Sequence, residues 1–178
     1  MHHASTSFQS PRLRAFAPRR TRTGFTLPEL LTVMSIVAIL TILAGPSFAA
    51  LLASQKAKAV ATELNVALNV ARSEAVKRNV NVSLCPKTSG ATGWRAGWQI
   101  QGSDCSTLVA PSAAVENHGA ISAVAIDGPA GVVFLGSGRI QGATPPVFHM
   151  VATTASSTAI KYVCADLSGR PMVSDTAC

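Results

Sequence analysis

The sequence predicts an α+β protein in which one long N-terminal helix packs on an antiparallel β-sheet head. Two observations predict the helix: an apolar run without a charged residue over 30–55, and an amphipathic pattern over 53–78. The third observation is a series of short apolar segments separated by turn residues, which fills the chain after residue 79. A chain of 178 residues has room for one such domain.

The apolar run is a candidate membrane segment because it exceeds the roughly 20 residues that a helix needs to cross a bilayer. The chain before it contains no acidic residue up to position 28 and five arginines: Arg12, Arg14, Arg19, Arg20 and Arg22. By the positive-inside rule, such a flank keeps the N-terminus in the cytoplasm and leaves the rest of the chain on the other side. We therefore expect a single-pass protein with a transmembrane helix over residues 25–52 and an exported head over residues 53–178.

A single carboxylate stands at the start of this run. A basic leader ends at Gly24, Phe25 follows, and Glu29 is the fifth residue after the glycine. This combination resembles the class III signal of type IV pilins and of type II secretion pseudopilins. The resemblance implies that a prepilin peptidase removes residues 1–24 and methylates the new N-terminus of Phe25. It also implies that Glu29 neutralises the N-terminal amine of a neighbouring subunit in a filament, since a buried carboxylate is tolerated mainly when it is paired.

The same resemblance implies a location. The precursor is expected in the bacterial inner membrane with a periplasmic head, and the mature subunit in an extracellular pilus after assembly. Its partners would be the prepilin peptidase, the inner membrane and other minor pilins or pseudopilins.

Three other interpretations of the segment remain open. An ordinary secretory signal could be cleaved after Ser47-Phe48-Ala49, since small residues stand at that site. A twin-arginine signal could use Arg19-Arg20, although no apolar run follows that pair directly. A plain membrane anchor would leave Gly24 and Glu29 without a role.

Gly45-Pro46 falls inside the helical pattern. A proline there removes one backbone hydrogen bond, so we expect a kink or a loosened turn. Pilins often carry a proline at about this depth in the mature helix. The resemblance therefore implies that Pro46 serves assembly by letting a turn of helix melt.

The amphipathic half of the helix has one apolar face. Its members recur at spacings of three and four: Val60, Leu64, Ala67, Leu68, Ala71 and Ala75. We expect this face to pack against the sheet.

Two segments after it carry a narrower resemblance. The segment 71–79 ends the helix, and the pattern Trp94-x-x-Gly-Trp98 follows a strand-like stretch. Both resemble the FimT/GspH-type minor pilins. With the leader, this resemblance covers most of residues 20–101 and returns weakly over 132–139.

The rest of the head is predicted to form short strands. Val80, Val82 and Leu84 alternate with polar or small residues, which predicts a half-buried strand. Further strands are predicted over 120–126, 132–135, 147–152 and 160–165, with turn residues between them. Residues 102–119 are predicted to form a surface loop or an irregular hairpin end, and 136–139 a turn.

Four cysteines lie in the predicted exported head: Cys85, Cys105, Cys164 and Cys178. An even count in an exported domain favours disulfides, and three pairings are possible. We favour Cys85–Cys105 and Cys164–Cys178 because each closes a short loop. A zinc site is the alternative, although no Cys-x-x-Cys occurs.

No catalytic constellation is apparent, and we expect neither enzymatic activity nor a cofactor or metal. His118 stands in a polar stretch and is predicted to be solvated, whereas His149 is predicted to be a structural residue on a sheet face. The net charge of +7 does not by itself indicate nucleic-acid binding. Five of the 15 basic residues are in the leader, which leaves ten basic against eight acidic residues from Phe25 onward.

Several hypotheses remain for the function of the head. In FimT-type members, DNA binding during natural transformation is linked to a C-terminal Gly-Arg-x-Arg motif. This chain has Gly169-Arg170-Pro171-Met172, in which methionine replaces the second arginine. Candidate contacts to double-stranded DNA are Arg170, Lys161, Arg139 and Lys87. The other roles are a minor pilin that helps to initiate a type IV pilus and a GspH-like pseudopilin of a type II protein secretion system.

Overall fold

The computed structural model describes residues 24–178. The predicted basic leader, with its five arginines and the Arg19-Arg20 pair, lies outside the described residues. The chain divides into two compact units, of which the first ends at Ile39 and the second runs from Leu40 to Cys178.

The predicted helix is present as α1, Leu27–Arg78. No single straight helix among residues 24–178 has the length and hydropathy needed to cross a membrane, but two parts that meet at a bend, Leu27–Ile42 and Ser47–Arg78, satisfy this test together. The bend contains Gly45-Pro46, where the sequence predicts a kink.

The first half of α1 has almost no packing partners within the described chain. The large apolar side chains described in this half are exposed, from 76% at Ile42 to 42% at Leu52. Such a surface is unfavourable in water, because burial of apolar area is the main driving force of folding and association. This half of the helix therefore requires a cover that the described chain does not supply.

The second half of α1 buries the predicted face. All six predicted residues are in the core; the same stripe also includes Ala61 and extends toward the N-terminus through Ala57 and Ala53. Alanine at these positions lets the helix approach the sheets closely. The face packs with the inward side chains of the strands in one core.

Eight strands and one 3-10 helix follow α1. They are β1 (Val82–Pro86), the 3-10 helix (Ala91–Ala96), β2 (Trp98–Gln101), β3 (Glu116–Asn117), β4 (Ala125–Asp127), β5 (Val132–Phe134), β6 (Val147–Thr153), β7 (Thr158–Ala165) and β8 (Pro171–Ser174).

The strands form two four-stranded sheets, both antiparallel. The first has the order β3-β2-β1-β5 and the second the order β4-β6-β7-β8. The α+β class and the antiparallel head are confirmed, whereas the single sheet expected from the sequence is in fact two.

Two strand predictions were wrong in detail. The strand after the helix, β1, is buried on both faces instead of one, and the loop after β2 lies against it at Leu84. That loop is fixed to β1 by the disulfide between Cys85 and Cys105. The predicted strand over 120–126 shrinks to Ala125–Asp127, because the N–H of Ile121 donates to the carbonyl of Arg95 instead of joining a ladder.

The core of the head is centred on two tryptophans. Trp94 and Trp98 are fully buried, with ring centroids 6.5 Å apart. Phe148 packs edge-on against Trp94 at 4.8 Å, and the indole N–H of Trp94 donates to the carbonyl of Pro129. The Trp-x-x-Gly-Trp pattern thus joins the 3-10 helix, β2 and the second sheet.

Candidate functional site

The N-terminus of α1 is closed by its own carboxylate. The backbone N–H of Thr26 donates to Glu29 Oε2 over 3.4 Å, and the N–H of Leu30 donates to the carbonyl of Thr26. This is half of a capping box, in which the third helical residue satisfies the N–H of the capping residue. The stretch Thr-Leu-Pro-Glu carries this signal in the sequence, although capping was not part of the role predicted for Glu29. Glu29 remains exposed, so its carboxylate is also accessible to a second partner.

Two glycine turns of the head touch each other. Gly138 lies between β5 and Ile140, which forms an isolated antiparallel bridge with Phe134, and Gly169 lies between β7 and β8. A Cβ on Gly169 would overlap the carbonyl oxygen of Gly138, so the two backbones are in direct contact. Both glycines have positive φ, 79° and 86°, which other residues rarely adopt. The N–H of Ile140 donates to the carbonyl of Leu167 and ties the turns together.

Arg72 joins these turns to the helix. Its Nε donates to the carbonyl oxygen of Gly138 over 3.1 Å. A Cβ on Gly169 would lie 3.2 Å from the same Nε. Arg72 was not among the predicted site residues, because 66 residues separate it from Gly138 and no local pattern links them.

The four predicted DNA contacts do not form one patch. Arg139 and Arg170 are exposed and each follows one of the two touching glycines, so the structure brings them close to Arg72. Lys161 forms an ion pair with Asp175, which offsets its charge. Lys87 follows the last residue of β1. The turn with Arg139 follows β5 and lies beside the first residue of β1, because Val82 pairs with Phe134. Lys87 is therefore at the other end of the sheet.

A carboxylate shapes the turn that carries Arg170. Asp166 Oδ1 accepts hydrogen bonds from the Ser168 hydroxyl at 2.6 Å and from the backbone N–H of Arg170 at 3.0 Å. The Ser168 hydroxyl, followed by the Arg170 N–H, holds the pKa of Asp166 below its ordinary value. The turn is therefore fixed by an ionised Asp166 at neutral pH.

Two disulfides staple the head. They join Cys85 to Cys105 and Cys164 to Cys178, with Cα atoms 5.3 Å and 5.9 Å apart. This is the pairing that the short loops favour. All four cysteines are in disulfides, so none is a thiolate ligand for zinc in this state.

The loop after β2, which the first disulfide ties to β1, is also held by side chains of β2. Gln99 and Gln101 are buried on β2, and Gln99 Nε2 donates to Gln101 Oε1 over 2.6 Å. Gln101 in turn donates to the carbonyl of Thr107 and accepts from the N–H of Val109. The side-chain amides of Gln99 and Gln101 thus supply hydrogen bonds to the backbone of the loop, in place of the bonds that a neighbouring strand would supply.

His118, which was predicted to be solvated, is only partly exposed. Its ring stacks on Trp98 with centroids 4.1 Å apart, and its Nε2 lies 3.3 Å from Glu63 Oε2 on α1. The residues that hold it are distant in sequence, which is why its polar neighbours misled the prediction. His149 lies on a sheet face as predicted, stacked on Tyr162 at 5.1 Å.

Comparison with known proteins places this architecture in a family. The family model described as Type II transport protein GspH matches residues 60–169, and the model of the prokaryotic N-terminal methylation motif matches residues 19–45. No curated protein sequence gives a significant match.

Two crystal structures of the type IV minor pilin FimU from Pseudomonas aeruginosa are similar in fold. One is 20% identical and covers 67% of this chain and 89% of that chain, with a TM-score of 0.55. The other is 22% identical and covers 66% and 91%, with a TM-score of 0.54. At this identity, the likeness establishes the pilin fold alone.

Proposed function

Because the chain belongs to the GspH family of minor pilins and pseudopilins, we propose that it is a minor pilin of a type IV pilus with a structural, non-enzymatic role in pilus assembly. The precursor is anchored in the inner membrane with its N-terminus in the cytoplasm and its head in the periplasm. Prepilin peptidase cuts between Gly24 and Phe25 and methylates Phe25, and the subunit then joins other minor pilins.

One observation carries this proposal: the exposed apolar half of α1. Large apolar side chains such as Leu31, Ile39, Leu40 and Leu51 are exposed along it. A bilayer covers such a helix in the precursor, and neighbouring helices cover it in a filament. The methylation motif over residues 19–45 supports the same sequence of events.

Glu29 gives the assembly step its specificity. The carboxylate is exposed and accepts a long hydrogen bond from the Thr26 N–H, at 3.4 Å. When neighbouring helices bury it, an unpaired charge would be costly, whereas pairing with the amine of an adjacent Phe25 offsets that cost. The bend between Ile42 and Ser47 is the place where α1 adapts to its neighbours, since a proline inside a helix removes one backbone hydrogen bond.

We further propose that the exposed head binds double-stranded DNA, with Arg170 and Arg139 as contacts. The support is their position on adjacent turns, where two guanidinium groups can address one phosphate backbone. Lys161 and Lys87 contribute less, because the first is paired with Asp175 and the second is at the far end of β1.

The second candidate is a pseudopilin of a type II secretion system. The description of the matching family favours it, since that family is named for a type II transport protein. The two candidates share the peptidase and the helix, so they differ in the filament that incorporates the subunit. The fold similarity to FimU, a type IV minor pilin, favours the pilus.

The proposal is tested in the cell of origin with Glu29→Gln, and with Ser35→Ala in the same exposed helix as the matched control. We expect normal removal of residues 1–24 in both variants, but only Ser35→Ala in filaments sheared from the cell surface. Incorporation of Glu29→Gln at the wild-type level would contradict the pairing. Absence of the wild-type chain from sheared pili, together with a protein secretion defect in the deletion strain, would establish the pseudopilin candidate instead.

A further inference from the structure

We propose that Arg72, Arg139 and Arg170 form one phosphate-binding site, here called the arginine cluster, in which Arg72 supplies the contact that Met172 does not. This inference rests on the proposed binding of DNA by the head and deepens it. The ligand is the phosphate backbone of a nucleic-acid duplex.

Arg72 is held in place through one of its nitrogens. The Nε–H donates to the carbonyl of Gly138 over 3.1 Å, which fixes the plane of the guanidinium group. Within residues 24–178, the structure shows no further hydrogen bond or ion pair of this side chain. The two NH2 groups are thus free to donate to a ligand, and arginine is suited to two parallel bonds with one phosphate.

The two glycines make the cluster possible. Gly169 sits against the carbonyl of Gly138 and beside Arg72 Nε, at a distance that leaves no room for a Cβ. Arg139 and Arg170 each follow one of these glycines directly, so their Cα atoms lie about 3.8 Å along the chain from the contact. The contact between Gly138 and Gly169 therefore brings together Arg72 Nε and the backbones of Arg139 and Arg170, which come from three separate parts of the chain.

Most of the charge of the cluster is not neutralised. Asp166 is the carboxylate of the Arg170 turn, and its Oδ1 already accepts from Ser168 and from the Arg170 backbone. On α1, Glu74 is engaged by Arg78 at 2.6 Å and by Lys77 at 3.6 Å, and it makes no ion pair with Arg72. Asp166 can offset one of three positive charges, which leaves a net positive site.

The shape of the site favours a polymer over a small anion. Arg139 and Arg170 are exposed, and Arg72 lines a shallow depression on α1 instead of an enclosed pocket. A duplex presents regularly spaced phosphates to such an open surface, and each neutralised phosphate releases counterions. Arg72 lies on α1, outside the Gly-Arg turn. It therefore places a second arginine beside Arg170 without the Gly-Arg-x-Arg spacing.

The test uses the mature full-length chain in detergent micelles and a short fluorescent duplex of mixed sequence, titrated at a series of salt concentrations. Arg72→Gln keeps a donor for Gly138 and removes the charge. Arg72→Lys keeps the charge. Arg95→Gln is the matched control, because Arg95 is exposed and lies beside β4, at the opposite edge of the second sheet from β8.

For Arg72→Gln we expect the slope of log K against log salt to become shallower by about 0.9, with roughly tenfold weaker binding at the lowest salt. Arg72→Lys should keep the wild-type slope, because the charge remains, but should bind more weakly, because lysine lacks the paired donors of the guanidinium group. Arg95→Gln should match the wild type in both slope and affinity. A slope for Arg72→Gln equal to that of Arg95→Gln would overturn the inference while leaving DNA binding through Arg170 intact. Absence of wild-type binding would overturn both, and the filament role would stand.

A second measurement avoids any effect of substitution on folding. Phenylglyoxal modifies accessible arginines, and peptide mass spectrometry reports each site in the wild-type chain. We expect the duplex to protect Arg72, Arg139 and Arg170 and to leave Arg95 reactive. Equal modification of Arg72 with and without the duplex would refute its place in the site.

Discussion

The contact between the two glycine turns makes Gly169→Ala a sharp test of the head structure. Alanine at this position carries two costs. The φ of 86° costs an L-residue about 1–2 kcal/mol, of which about 0.4–1 kcal/mol is recovered because alanine restricts the unfolded chain. The new Cβ also overlaps the carbonyl of Gly138, a backbone atom that cannot rotate away. Forced overpacking of this kind costs typically about 1–3 kcal/mol.

Gly142→Ala separates the two costs. Gly142 also has a positive φ, 127°, but a Cβ there would meet nothing within 4 Å. We therefore expect Gly169→Ala to unfold with a free energy about 1–3 kcal/mol below that of Gly142→Ala. For a chain of this size, the melting temperature should differ by on the order of 5 °C.

The assay is thermal unfolding followed by tryptophan fluorescence, since both tryptophans, Trp94 and Trp98, are buried in the head. Equal melting temperatures for the two alanine variants would show that the turns do not touch. In that case the arginine cluster would also lose its structural basis.

Three further changes near the C-terminus probe the second disulfide, the Gly-Arg turn and its carboxylate. Replacing both Cys164 and Cys178 by serine opens a loop with a sequence separation of 14, which should lower the free energy of unfolding by about 3 kcal/mol; a change below about 1 kcal/mol in denaturant unfolding would contradict the loop-entropy account. Met172→Arg should steepen the salt dependence of duplex binding by about 0.9 in log–log slope, whereas Met172→Gln should not; equal slopes for the two variants would exclude a phosphate contact at this exposed position. Asp166 has a folded pKa below its unfolded value, so the stability that its carboxylate contributes is present above the unfolded pKa and is lost as the pH falls through the folded pKa. The melting temperature of the wild type should therefore exceed that of Asp166→Asn at neutral pH, and this difference should disappear below about pH 4. A difference that stays constant with pH would contradict the role of Asp166.

The helix was predictable because its signals are periodic and long. Twenty-six uncharged residues and a repeating apolar face define α1 to within two residues of its observed start. Strands with several β-branched residues, such as β6 and β7, were found for the same reason.

The division into two sheets could not be predicted, because its defining strands carry weak local signals. β3 has two residues, and β8 begins with Pro171 and is only four residues long. β2 alternates apolar and polar residues but is only four residues long, and its two glutamines are buried because they hold a loop. These segments form strands because neighbouring strands pair with them, and not because of their intrinsic β-propensity.

The candidate site shows the same limit. The Gly-Arg turn was visible as a motif, and the charge of Arg139 and Arg170 was known. That Arg72 meets both turns depends on a packing contact across 66 residues, and that Lys161 is neutralised depends on Asp175 near the end of the chain. Charge in the sequence indicates candidates, whereas tertiary contacts decide which charges are available to a ligand.

The proposed role in a filament depends above all on maturation, in which residues 1–24 are removed as a leader and the subunit begins at Phe25. Mass spectrometry of the N-terminal peptide, on protein purified from its native cell, tests this maturation most directly. We predict an N-terminal peptide that starts at Phe25 and carries one methyl group on its amine. A peptide that starts at Ala50, or an unprocessed chain that retains the leader, would contradict it.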